Sequence, residues 1–140
     1  MAQNSGLKIL KSVLMLYITA NLFYGVSLFF FPNLLWDVSG SSEPLGLGWI
    51  RWAGGPLIAM GIVGIRVFRN PAGEKTFIAI ATLSALFMGL GLLYSKVYDH
   101  SISSSWFHMT PCVISLTLFA LLFWGRQKAK DILELIRTKE

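Results

Sequence analysis

The sequence predicts an all-α protein: a bundle of four transmembrane helices running up-down-up-down, followed by an amphipathic C-terminal tail. Three observations predict it. Only 14% of the 140 residues are charged and 54% are hydrophobic, whereas a soluble domain carries about 25% charged residues. Four apolar runs, at about 13–31, 45–68, 76–94 and 106–124, have the length a helix needs to cross a bilayer, which is about 20 residues for a hydrocarbon core of about 30 Å. Ten of the twelve basic residues fall on one side if these runs alternate in direction. The chain reads as a single integral membrane domain over 1–140, with no internal repeat and no soluble second domain.

The first run ends at Phe31-Pro32-Asn33. It is longer than the h-region of a secretory signal, about 7–15 residues, and no small-residue cleavage site follows it. It therefore reads as an uncleaved span. Ser41-Ser42-Glu43-Pro44 supplies a cap and an early proline for the second span. Inside that span Pro56 lacks an N–H for the carbonyl of Trp52 and crowds it, with Gly54 and Gly55 easing a bend. Such a kink either is purely structural or marks a site. Asn70-Pro71-Ala72-Gly73 predicts a tight turn into span three. Four serines between Ser101 and Ser105 offer a cap for span four. The tail mixes charge with Ile132, Leu133, Leu135 and Ile136 at amphipathic helical spacing, suited to a membrane surface or a partner.

Lipid gives helices no hydrophobic reason to associate, so small residues mark close packing. Span three has Ala81, Ala85 and Gly89 at four-residue spacing; span two has Gly54, Gly61 and Gly64. Spans two and three are therefore expected to pack tightly together, within the chain or as a homodimer seam.

Lys8, Lys11, Arg66, Arg69, Lys75, Arg126, Lys128, Lys130, Arg137 and Lys139 form the basic side, leaving Arg51 and Lys96 opposite. The positive-inside rule then puts both termini in the cytoplasm, and Asp37, Glu43, Asp99 and His100 outside. The expected location is the inner (plasma) membrane of a bacterium. The net charge of +5 does not point to nucleic acid, because the basic residues form no single stripe with interleaved aromatics. Cys112 is the lone cysteine, which excludes an intrachain disulfide and suits a packed small residue. His100 and His108 lack the i, i+4 spacing of a helical metal site. No metal and no cofactor is expected.

Polar residues share two faces. Tyr17, Asn21 and Tyr24 lie at i, i+4 and i+7 in span one, and His108, Cys112 and Ser115 repeat that spacing in span four. Asn21 lies near mid-membrane, where its amide serves either as interhelical glue or as a contact to a ligand. His108 is an interfacial residue or part of the same outer site. Arg51 stands between Trp49 and Trp52 in Trp49-Ile50-Arg51-Trp52-Ala53-Gly54-Gly55. Fifteen residues separate it from Arg66, roughly 22 Å along a helix. It therefore lies about 8 Å inside the outer boundary if Arg66 sits at the inner one. It can snorkel between the two tryptophans. Alternatively it turns into the bundle, held by Glu43 or Asp37, with Tyr24, Tyr94 and His108 completing a site in the outer half.

The order of features resembles the DoxX-like family of small four-helix membrane proteins. Those features are a first span ending in Phe-Pro, Arg51-Trp52-Ala53-Gly54-Gly55 at the head of the second, and a third running through Gly89-Leu90-Gly91-Leu92-Leu93-Tyr94 into an acidic loop. The resemblance covers about 110 residues. It implies the four-span fold and, for some relatives, a membrane subunit for quinone-linked oxidation of sulfur compounds. Arg51, Gly54 and Gly55 match that pattern, but no catalytic residue carries over. Where the family pattern has a basic residue late in span three, this chain has Tyr94 and Lys96.

The leading functional expectation is a non-enzymatic membrane protein that binds a lipid or small amphiphile through Arg51, His108, Tyr24, Tyr94, Glu43, Asp37 and Asn21. The alternatives are a quinone-linked subunit of an oxidoreductase and a scaffold or accessory subunit of a membrane complex. The expected partners are membrane lipids, further copies of the chain or a larger complex.

Overall fold

The computed structural model describes residues 2–34, 47–71, 74–99 and 106–130. They form four helices: α1 (Ala2–Phe30), α2 (Leu47–Arg69), α3 (Lys75–Tyr94) and α4 (Trp106–Lys128). A π-helical turn, Ser95–Asp99, extends α3. Asp37, Glu43, His100, the serine cap at 101–105, Ala72-Gly73 and the tail from 131 lie outside the described residues. So do the side chains of Trp49, Asp99 and His108.

Each helix contains a segment long and apolar enough to cross a membrane: Ser5–Phe30, Ile50–Arg69, Lys75–Tyr98 and Met109–Lys128. Between 22% and 33% of each segment's most apolar window is buried within the bundle. The rest faces outward and is still apolar, with Phe30, Ile62, Leu83 and Phe123 all exposed. An apolar coat on this scale requires lipid around it. α1 starts at Ala2, about a turn and a half before Lys8 and well before the apolar run. Hydropathy marks the part of a helix that lies in lipid, not where its hydrogen bonding begins.

Neighbouring helices run antiparallel. α1 packs along α2 and α4, and α3 packs along α4, whereas α2 and α3 barely touch. This overturns the expected tight pairing of spans two and three. The small residues are real contact points, but with other partners. A methyl group on Gly54 would sit 2.8 Å from the backbone nitrogen of Phe29 and 2.9 Å from the carbonyl oxygen of Gly25. Gly61 abuts Leu22, and Gly64 abuts Ile18. The glycine stripe of α2 is thus spent on α1. Ala81, Ala85 and Gly89 are buried in α3, and Gly89 packs on Leu116 of α4. There Cys112 donates a weak hydrogen bond to the carbonyl of Gly89, with Sγ at 3.4 Å. Gly89→Leu would drive a side chain into Leu116, and overpacking of this kind costs about 1–3 kcal/mol. A lowered midpoint on detergent unfolding is the expected result.

The two halves of the bundle differ. The half that holds the α2–α3 turn is filled by Leu10, Leu14, Val67, Phe77, Ile78 and Leu122, all in one apolar cluster. The Phe77 ring reaches the Gly64 region, and Arg66 pairs with Glu74 across the turn at 3.9 Å, an exposed pair of little energetic weight. Lys11, half-buried, places its ammonium 5.8 Å from the centre of the Phe68 ring. In the other half α2 and α3 stay apart, and the described residues do not fill the space between them.

Candidate functional site

That unfilled space is a cavity of about 840 Å³, within the range of small-molecule pockets. Its walls come from all four helices. α1 contributes Tyr17, Asn21, Tyr24 and Leu28 among others; α2 contributes Ile50, Ala53, Pro56, Leu57 and Met60, with the largely exposed Trp52 at the edge. Ser84, Ala85, Met88 and Gly91 come from α3, and Pro111, Ile114, Ser115 and Leu118 from α4. Steps of three and four residues recur in each set, so each helix gives one face to the cavity. Tyr17, Ala85 and Leu118 also belong to the packed cluster and therefore form the floor. None of the described residues that line the cavity is charged.

Two prolines lie on the lining of opposite helices, Pro56 in α2 and Pro111 in α4. Both are tolerated inside membrane helices when neighbouring groups re-satisfy the backbone. Neither can donate a hydrogen bond to the carbonyl one turn earlier. Their presence on the cavity walls puts a missing helical hydrogen bond on each of two walls.

The floor carries the polar chemistry. Asn21 is 6% exposed and Tyr17 is 2% exposed. Asn21 Nδ2 donates to the carbonyl of Tyr17 at 2.8 Å, which fixes the orientation of the amide because a carbonyl only accepts. Asn21 Oδ1 and the Tyr17 hydroxyl are then buried without a hydrogen-bond partner among the described residues. The Ser84 and Asn21 side chains are the polar neighbours of that hydroxyl, yet no hydrogen bond closes to either. Ser84 Oγ instead approaches Met88 Sδ at 4.0 Å. An unmet buried polar group costs about 1–3 kcal/mol, so this floor is unsatisfied as it stands.

The structure therefore brings Asn21 and Tyr24 onto the cavity and leaves Arg51 and Tyr94 outside its lining. Ile50, Ala53 and Leu57 occupy the inward stripe of α2, and Arg51, one residue on from Ile50, is rotated away and exposed. Tyr94 is rotated well away from the cavity-facing Leu92; it is 58% exposed and stacks on Tyr98 with ring centres 4.6 Å apart. His108 lies within α4, its side chain outside the described ones, and Glu43 and Asp37 fall in the undescribed stretch. Sequence reasoning passed over Ser84 and Pro111. Ser84 hides in a run of small and apolar residues, where one hydroxyl makes no periodic signal. Pro111 was legible as a proline inside an apolar run.

Among the described residues no group of three or more His, Cys, Asp or Glu side chains could hold a metal ion. Compared with protein-family models, with curated proteins and with solved structures, the chain shows no match.

Proposed function

We propose that the protein is an integral membrane protein that binds a lipid or small amphiphile in the cavity between α2 and α3. The observation that carries this reading is the cavity itself: an apolar space of about 840 Å³ ending in unsatisfied polar groups. Apolar walls accept a hydrocarbon chain, and the polar floor accepts one hydrogen-bonding group, which together describe an amphiphile. The gap between α2 and α3 faces the surrounding lipid, so a ligand can arrive from the bilayer. No chemistry need follow, and binding alone accounts for the arrangement. Native mass spectrometry of protein extracted in mild detergent tests this directly. Retained adducts of amphiphile mass are the expected result, and a bare protein under conditions that preserve the fold would overturn it. An adduct with quinone absorption would instead favour a redox subunit.

The basic residues support an orientation in the inner membrane of a bacterium, with Lys8, Lys11, Arg66, Arg69 and Arg126 facing the cytoplasm. The cavity then occupies the outer half of the bundle, where Trp52, Tyr94 and Tyr98 are exposed at the depth of an aromatic belt. In this reading Arg51 is an interfacial anchor that snorkels outward rather than a ligand contact. Asn33 and Asn70 are exposed at opposite ends of the bundle, and the native Cys112 is buried. With an impermeant thiol reagent added to intact cells, Asn33→Cys should label and Asn70→Cys should not. The reverse pattern would invert the topology.

A further inference from the structure

We infer that the cavity selects a neutral amphiphile whose headgroup carries a hydroxyl, seated on Asn21, Tyr17 and Ser84. The inference rests on the cavity being a ligand site and adds the chemistry of what it holds.

Charge narrows the class first. The described lining residues include no cation and no anion, and Arg51 lies outside them. Placing a carboxylate or phosphate among apolar walls without a partner carries a desolvation penalty of several kcal/mol. A fatty acid or phospholipid headgroup therefore finds no counterpart on the floor.

Hydrogen-bond polarity narrows it further. Asn21 Oδ1 is an acceptor and can be met only by a donor. The Tyr17 hydroxyl can donate or accept. One ligand hydroxyl meets both needs together, donating to Asn21 Oδ1 while accepting from Tyr17. Ser84, the other polar neighbour of Tyr17, stands on α3, and its hydroxyl makes a long contact to the Met88 thioether. An ester, ether or ketone offers acceptors alone. It could take the Tyr17 proton but would leave Asn21 Oδ1 unmet. Both unmet atoms are buried in this structure, so the Asn21 and Tyr17 side chains turn toward the cavity as the ligand hydroxyl is seated.

The test compares three probes with the same acyl chain: 1-oleoylglycerol, methyl oleate and oleate. The full chain is reconstituted in nanodiscs containing each in turn, and retention is read by native mass spectrometry. The wild-type protein should retain 1-oleoylglycerol about tenfold better than methyl oleate, the ratio expected for one additional hydrogen bond, and oleate least. Asn21→Leu should lower 1-oleoylglycerol to the level of methyl oleate and leave methyl oleate unchanged. Its stability should hold, since the loss of the Nδ2 bond to the Tyr17 carbonyl is offset by the loss of the unmet Oδ1, in exchange for an apolar group of similar size. Tyr17→Phe, which removes only the hydroxyl from which both esters can accept, should lower 1-oleoylglycerol and methyl oleate by a similar factor and leave their ratio near the wild-type value, which itself carries the test if Asn21→Leu does not fold. Equal retention of the glycerol and methyl esters would overturn the headgroup inference while leaving the cavity as an amphiphile site, and so would preferential retention of oleate. Retention of none of the three would overturn both.

Discussion

Gly54→Ala should strongly destabilise the bundle, while Gly55→Ala, one residue along the same helix, should leave it as stable as before or slightly more so. The contrast comes from what each new methyl group would meet. At Gly54 it would lie 2.8 Å from the Phe29 backbone nitrogen, 2.9 Å from the Gly25 carbonyl oxygen and 3.1 Å from Phe29 Cβ. The two closest are main-chain atoms of α1, so no rotamer change relieves the clash; the helices must move apart. At Gly25 the reciprocal methyl would meet the Ile58 nitrogen at 2.8 Å and the Gly54 carbonyl at 3.1 Å. The two glycines are the two sides of one crossing. Forcing that crossing open should cost at the upper end of the about 1–3 kcal/mol typical of overpacking, or beyond it. At Gly55 nothing lies within 4 Å, and alanine is favoured over glycine in a helix interior by about 0.5–1 kcal/mol. Unfolding of each variant in mixed micelles gives the comparison. Equal stabilities would mean that α1 and α2 do not meet at Gly25 and Gly54.

The same crossing shows where sequence reasoning stops. Hydropathy placed four spans because the cost of unpaired backbone in lipid leaves helices as the only form such runs can take. The stripe of Gly54, Gly61 and Gly64 said that a neighbour comes close, and it does. A stripe carries no label for that neighbour, and the partner proved to be α1 rather than α3. Gly25, a lone glycine inside an apolar run, held half of the missing information. The polar face of Tyr17, Asn21 and Tyr24 was legible because three polar residues at helical spacing must share a side, and all three line the cavity. Arg51 shows the converse. Its depth follows from rise per residue, but its direction depends on which stripe of α2 turns inward, and that stripe is set by Ile50, Ala53 and Leu57. The cavity was out of reach altogether. It exists because α2 spends its glycines on α1 and so leaves a gap toward α3, a consequence of pairing that no single segment encodes.

Filling that gap should eliminate ligand binding without unfolding the protein. Gly91 lines the cavity from α3, and a methyl group built on it meets nothing within 4 Å. Gly91→Trp therefore adds a large side chain where there is room for one, on an element that packs against α4 through Gly89 instead. An indole buries about 150–250 Å² of surface when it is accommodated, enough to occupy ground that an acyl chain would use. Retention of a cavity-bound amphiphile should fall at least about tenfold, equivalent to a loss of about 1.4 kcal/mol or more. The midpoint of unfolding for the ligand-free protein should change little, because no existing contact is displaced. Gly48→Trp is the matched control: Gly48 also has nothing within 4 Å, but it is not part of the cavity lining. It should retain amphiphile as the wild type does. If both variants retain it equally, lipid is held on the outer surface of the bundle and the cavity is not the site. If Gly48→Trp loses it as fully as Gly91→Trp, the loss reflects a changed outer surface, and the same conclusion follows. Only a loss confined to Gly91→Trp places the amphiphile between α2 and α3, above the floor formed by Tyr17 and Asn21.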